Sequence, residues 1–196
     1  MAEYEPGPRG LWEAAKSGDT ELVFKLILAH SHHDYINFKN KEHGTTPLAV
    51  ALKWSFICDN PRDYDGRRKK NHTDRHLAVV KLLLDYGADV SAICKGNTTA
   101  LHYAIKYAPS NEYMKILIES GQDIQVNVKI DGKTPLLYAM SNWCGTDILS
   151  WEEQISLLIQ EHADVNTLDG KGNNSTPDLQ SQCMVIEGIY SPRFQN

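Results

Sequence analysis

One short phrase occurs three times in this chain: Thr46-Pro47-Leu48-Ala49-Val50-Ala51, Thr99-Ala100-Leu101-His102-Tyr103-Ala104 and Thr134-Pro135-Leu136-Leu137-Tyr138-Ala139. A leucine-rich stretch follows each copy and closes on a second recurring phrase. The closings are Gly87-Ala88-Asp89-Val90, Gly121-Gln122-Asp123-Ile124 and His162-Ala163-Asp164-Val165-Asn166. Two phrases in fixed order mean one supersecondary unit copied along the chain. Such a unit cannot bury its apolar face alone, so the copies stack into a solenoid. A solenoid offers an extended surface, which suits binding better than an enclosed catalytic pocket.

The phrase has a physical reading. The Thr hydroxyl caps a helix by accepting from a first-turn backbone N–H. Pro47 and Pro135 sit at the first helical position, where a missing N–H costs nothing. Leu48, Leu101 and Leu136 then face inward. Ala51, Ala104 and Ala139 are small enough to let a neighbouring helix approach. Gly87 and Gly121 close the second helix in the left-handed conformation. His162 replaces that glycine in the last full unit, which predicts a weaker cap.

These phrases resemble the ankyrin repeat, a β-turn finger plus two helices with a period of about 33 residues. The resemblance runs over about residues 9–168. It implies an all-α solenoid of about four full repeats and a degenerate C-terminal one. Leu11-Trp12-Glu13-Ala14-Ala15-Lys16-Ser17-Gly18-Asp19 reads as a first unit without Thr-Pro, which suits an N-terminal cap. Thr46 to Thr99 is 53 residues, so the second unit carries an insertion, placed at 55–74. Its polar, aperiodic part, Asp59 to Asp74, predicts a mobile loop. The expected organisation is a tail over 1–8 and a repeat domain over 9–190. Its units are 9–42, 43–95, 96–130, 131–172 and a partial 173–190, with a second tail over 191–196.

Composition narrows the function. A net charge of −5 argues against a general nucleic-acid binder. No apolar run reaches membrane-spanning length, and Met1 to Gly10 lack a signal-peptide core. Cys58, Cys94, Cys144 and Cys183 are scattered, which fits neither a disulfide framework nor a metal site and places the chain in the cytoplasm or nucleus. His30, His32 and His33 sit with Asp34 in a turn without a second ligand cluster, so no metal is expected. No phosphate loop, nucleophile elbow or kinase signature occurs, so no enzyme activity and no cofactor are expected.

The ankyrin resemblance places the partner site on a concave face. Helix positions counted from the small Ala give Lys53 with Trp54, Lys106 with Tyr107, and Ser141 with Asn142. Trp54 and Tyr107 are expected side by side, as exposed aromatics with lysines around them. The alternative packs Trp54 under the insertion. Finger tips add Glu42, His43, Lys95, Thr98, Ile130, Asp131 and Lys133. Arg67, Arg68, Lys69 and Lys70 form a basic run, read as an import or acidic-contact motif or as a solvated insertion. The resemblance gives His102 an inter-repeat hydrogen bond. It also makes Asn166 a candidate for asparaginyl hydroxylation, against the simpler reading of an Asn bonded within its own finger. The expected function is a monomeric adaptor binding a protein partner, with no nucleic acid or membrane. A pathogen or viral effector and a regulatory module of a larger enzyme complex are the alternatives.

Overall fold

The computed structural model describes residues 7–30, 33–58, 71–108, 110–141, 148–165 and 167. Within them the chain forms α1 (Pro8–Ser17), α2 (Thr20–Ala29), the single turn α3 (His33–Ile36), α4 (Pro47–Cys58), α5 (Asn71–Asp85), α6 (Ala100–Tyr107), α7 (Glu112–Glu119), α8 (Pro135–Ser141) and α9 (Ile148–Gln160). Among the described residues the only sheet-like pairings are two isolated bridges, Cys94 with Thr98 and Ile130 with Lys133. The architecture is the expected all-α solenoid.

Helix pairs α1–α2, α4–α5, α6–α7 and α8–α9 each pack within a unit. First helices stack in one row, α1–α4–α6–α8, and second helices in another, α2–α5–α7–α9. The core lies between the rows. Leu48, Leu101 and Leu136 are buried in it, as are Ala51, Ala104 and Ala139. Leu83, Leu117 and Leu158 meet them from the second row. Because α4 reaches Cys58 and α5 begins at Asn71, residues 55–58 and 71–74 are helical rather than part of a loop. Residues 59–70, with the basic run Arg67 to Lys70, lie outside the described residues, as do 168–196 with the partial fifth unit and C-terminal tail, and Asn142 and Asn166.

The caps follow the sequence at two of three places. Thr46 Oγ1 accepts from Ala49 N–H at 3.2 Å, and Thr134 Oγ1 accepts from Leu137 N–H at 3.3 Å. Thr99 makes no such bond. Its hydroxyl pairs instead with His102 Nδ1 at 2.8 Å. The reason is the residue three places on: Ala49 and Leu137 offer only a backbone N–H, whereas His102 adds a ring nitrogen that competes for the hydroxyl.

The same pairing corrects the expectation for His102. Its ring nitrogen bonds within its own unit, and Nε2 is buried without a hydrogen-bond partner. What reaches the next unit is an edge-on ring contact with Tyr138, 6.2 Å between centroids at 78°. Burial pulls the imidazole pKa down to about 4, so the ring is neutral at physiological pH.

Side-chain amides join the units. Asn37 accepts from Asp89 N–H at 2.8 Å and donates to Gly87 O at 3.3 Å. Gln122 accepts from Val90 N–H at 3.2 Å and donates to Ala88 O at 3.0 Å. Asn127 accepts from Asp164 N–H at 2.8 Å and donates to His162 O at 3.4 Å. The turn at 87–90 is thus gripped from both sides. Asn127 is the third-unit equivalent of Asn166, and its bonds go to the next unit. Asn127 is therefore an inter-unit clamp.

Candidate partner-binding surface

Each finger is a tight reversal before a first helix. In the finger before α4, Asn40 Oδ1 accepts from the backbone N–H groups of Glu42 at 2.9 Å and His43 at 3.1 Å, which turns the chain. Gly44 completes the turn at φ +61°, and a Cβ there would lie 2.7 Å from Lys95 Cβ. That proximity lets Lys95 N–H donate to Gly44 O at 2.9 Å, tying the first finger to the second. Asn97, at φ +59°, extends its amide to Lys129 O at 2.8 Å and ties the second to the third. The fingers therefore form a continuous edge beside the first-helix row.

The opening end of that edge is aromatic. The His43 ring stacks on Trp12, 5.2 Å apart at 12°, while Trp12 Nε1 donates to Thr45 Oγ1 at 3.0 Å. Glu42, His43 and Lys95 are exposed, as is Asp131 at φ +50° in the third finger. Thr98, Ile130 and Lys133 are half-buried, because the bridges that pinch their fingers draw them inward.

Along the helices, the residue two places after the small Ala is a lysine three times: Lys16, Lys53 and Lys106. Lys16 Nζ lies 5.4 Å from the Trp12 ring centroid and 4.7 Å from that of Trp54 in the next unit. Lys106 Nζ lies 5.1 Å from Tyr107 and 5.9 Å from Tyr138, again one unit on. Each of these ammonium groups therefore spans two units, an arrangement favoured by the negative face of an aromatic ring. Hydrogen bonding to Tyr138 and Tyr107 raises the Lys106 pKa, so that lysine stays charged.

Two expectations need correction here. Trp54 and Tyr107 occupy equivalent places, yet among the described residues no ring contact joins them. Trp54 lies under Lys16, and Tyr107 stacks on Tyr103, 6.0 Å apart at 24°. Neither ring is fully exposed; both are half-buried against the core. Lys53 itself is half-buried, with no ion pair among the described residues, and Ser141 donates to Tyr138 O at 3.1 Å.

The sequence reading missed Lys16, Tyr103, Tyr138 and Ile93. Lys16 was detectable, since it follows Ala14 as Lys53 follows Ala51. Tyr103 and Tyr138 share one position in the repeated phrase. Burial pushes the Tyr103 phenol up to about 12, beside Thr98 of the finger. Ile93 is 46% exposed on a finger, where an apolar side chain gains nothing from water. Ile130, the apolar finger residue expected to be presented, is drawn into its bridge instead.

Charge is also segregated. The fingers hold Lys39, Lys41, Lys95, Lys129 and Lys133 against Glu42 and Asp131. The first helices add Arg9, Lys16, Lys53 and Lys106 against Glu13. The described fingers and first helices thus have nine basic residues and three carboxylates, in a chain with 20 basic and 25 acidic residues overall. On the second helices, by contrast, lysines are neutralised: Lys25 pairs with Glu21 at 2.6 Å, Lys81 with Glu112 at 3.2 Å, and Lys115 with Glu153 at 2.5 Å.

A family model for ankyrin repeats matches residues 71–169 as three copies, half of the chain. This protein belongs to the ankyrin-repeat family. Helices α1 to α4 precede the matched span and carry the first units of the same stack. An ankyrin repeat domain-containing protein of Stachybotrys chartarum is 30% identical over 162 residues, which are 81% of this chain and 6% of that one. The mouse B-cell lymphoma 3 protein homolog is 27% identical over 154 residues, 68% of this chain and 33% of its own length. A putative ankyrin repeat protein of fowlpox virus is 32% identical over 68 residues, 34% of this chain and 13% of that protein. The chain thus spans a third or less of the length of these ankyrin-repeat relatives. No helix among its described residues is long and apolar enough to cross a membrane.

Proposed function

We propose that this ankyrin-repeat chain is a non-enzymatic interaction module that binds a protein partner on the concave face, working in the cytoplasm or nucleus. The observation that carries this reading is the row of cation–aromatic sets. Lys16 over Trp54 and Lys106 over Tyr107 and Tyr138 run along the first helices and face a linked edge of fingers. Half-buried aromatics with a polar rim are the chemistry of binding hot spots. The scaffold holds them in place beforehand, which lowers the ordering cost of association. Membership of a family built from stacked repeats supports a binding role, since the fold supplies surface.

Affinity capture with the whole chain, followed by titration of the captured protein, tests this reading. Trp54→Ala combined with Tyr107→Ala is expected to weaken binding by about 2 kcal/mol or more. The melting curve should stay cooperative and close to that of the parent. An unchanged affinity would move the binding surface to the second helices.

A further inference from the structure

We infer that the partner of this face is an acidic, extended segment of protein, a reading that rests on the concave face being the binding surface. The whole chain is acidic, at −5, yet its described fingers and first helices carry an excess of six positive charges. The other described segments hold 4 basic and 13 acidic residues, so the polarity is between parts of the stack and not a general bias. Lys39, Lys41, Lys53, Lys95, Lys106 and Lys133 make no ion pair among the described residues. A face with unneutralised charge gains by meeting its opposite, because complementary potentials steer encounter and fix register.

The shape favours an extended chain. The lysines fall into two lines, one on the three described fingers and one on the first helices α1, α4 and α6, while α8 has Ser141 at the equivalent place. A segment lying between them passes finger lysines on one side and Lys16, Lys53 and Lys106 on the other. Ile93 on the middle finger provides one exposed apolar contact within the track.

The observations favour a polypeptide over a nucleic acid. Glu42 and Asp131 stand exposed at the finger tips, where they would repel a continuous phosphate backbone. The faces of Trp54 and Tyr138 already hold Lys16 and Lys106, which leaves them poorly placed for base stacking. Spaced carboxylates separated by neutral residues meet neither obstacle.

Fluorescence anisotropy with the whole chain tests the proposal. The probes are a labelled Glu/Asp-rich peptide containing one Leu, its Gln/Asn counterpart, and a single-stranded oligonucleotide of equal charge. The acidic peptide is expected to bind at least about tenfold more tightly than either of the others, and to weaken as salt is raised. Lys53→Gln with Lys106→Gln and Lys133→Gln should cut its affinity by at least about tenfold. Lys25→Gln with Lys81→Gln and Lys115→Gln, on the outer helices, should not. Equal binding of the neutral peptide, tighter binding of the oligonucleotide, or loss from the outer-face variant alone would overturn the proposal. A captured protein that depends on Trp54 and Tyr107 but ignores salt and the three inner lysines would overturn the acidic assignment while leaving the binding face in place. A captured protein indifferent to all five residues would overturn both.

Discussion

At the scale of the residue, His102 links burial to acid sensitivity. Its ordinary pKa of 6.5 falls to about 4 in the folded chain. The unfolded chain therefore takes up the proton first as pH drops. The folded state keeps its full stability above about pH 6.5 and loses it progressively toward pH 4, by at most about 3 kcal/mol. Urea midpoints measured across that range are expected to decline with falling pH, and His102→Gln should flatten the decline. Equal slopes in parent and variant would remove His102 from the account. His162 is a second single-residue case. It holds φ +63° at the end of α9, where Gly87 and Gly121 close the preceding units. His162→Gly is expected to stabilise by up to about 1 kcal/mol by relieving left-handed strain, read as a higher melting temperature. The missing glycine was legible in the closing phrase, but the turn it leaves keeps the same closing bond: Ala163 N–H donates to Leu158 O at 2.9 Å, as Ala88 N–H donates to Leu83 O at 2.9 Å. The Thr99–His102 pair was not legible, since the phrase shows a His without showing which donor or acceptor wins it.

At the scale of the element, the helices were legible and their lengths were not. Thr46-Pro47 and Thr134-Pro135 announce α4 and α8 through capping chemistry that depends only on local residues. The ends of the insertion were misjudged. Polar Asn71 to Asp74 look like loop, yet they belong to α5. The finger linkage was also hidden, because Gly44 is needed for two reasons at once. Its φ is +61°, and Lys95 stands where a Cβ would go. Gly87 has only the first reason, with open space around it. Gly44→Ala is therefore expected to destabilise more than Gly87→Ala, by about 1 kcal/mol or more beyond the shared backbone strain. Parallel denaturation of the two variants measures the difference, and equal losses would show that Lys95 yields without cost.

At the scale of the whole molecule, the stack is held by neighbours alone. Leu101 is fully buried between the rows. Leu101→Ala is expected to cost about 2–5 kcal/mol, with the damage passing to both adjoining units as a nearest-neighbour array requires. Amide exchange should quicken in α4 and α8 as well as in α6, and a change confined to α6 would contradict that coupling. The solenoid itself was legible because repetition is a property of the sequence. The charged face was not, because one net figure of −5 averages over two faces of opposite character. The amide clamps carry a consequence of another kind. Asn37, Gln122 and Asn127 all grip main-chain atoms of the adjoining unit. Such a coupling responds to its neighbour's backbone path and is blind to its side chains. Adjacent units can then drift apart in sequence without losing their grip, and a unit transplanted from another stack would find the same handholds. The joints of this protein are standard fittings, and variety is left to the surfaces between them.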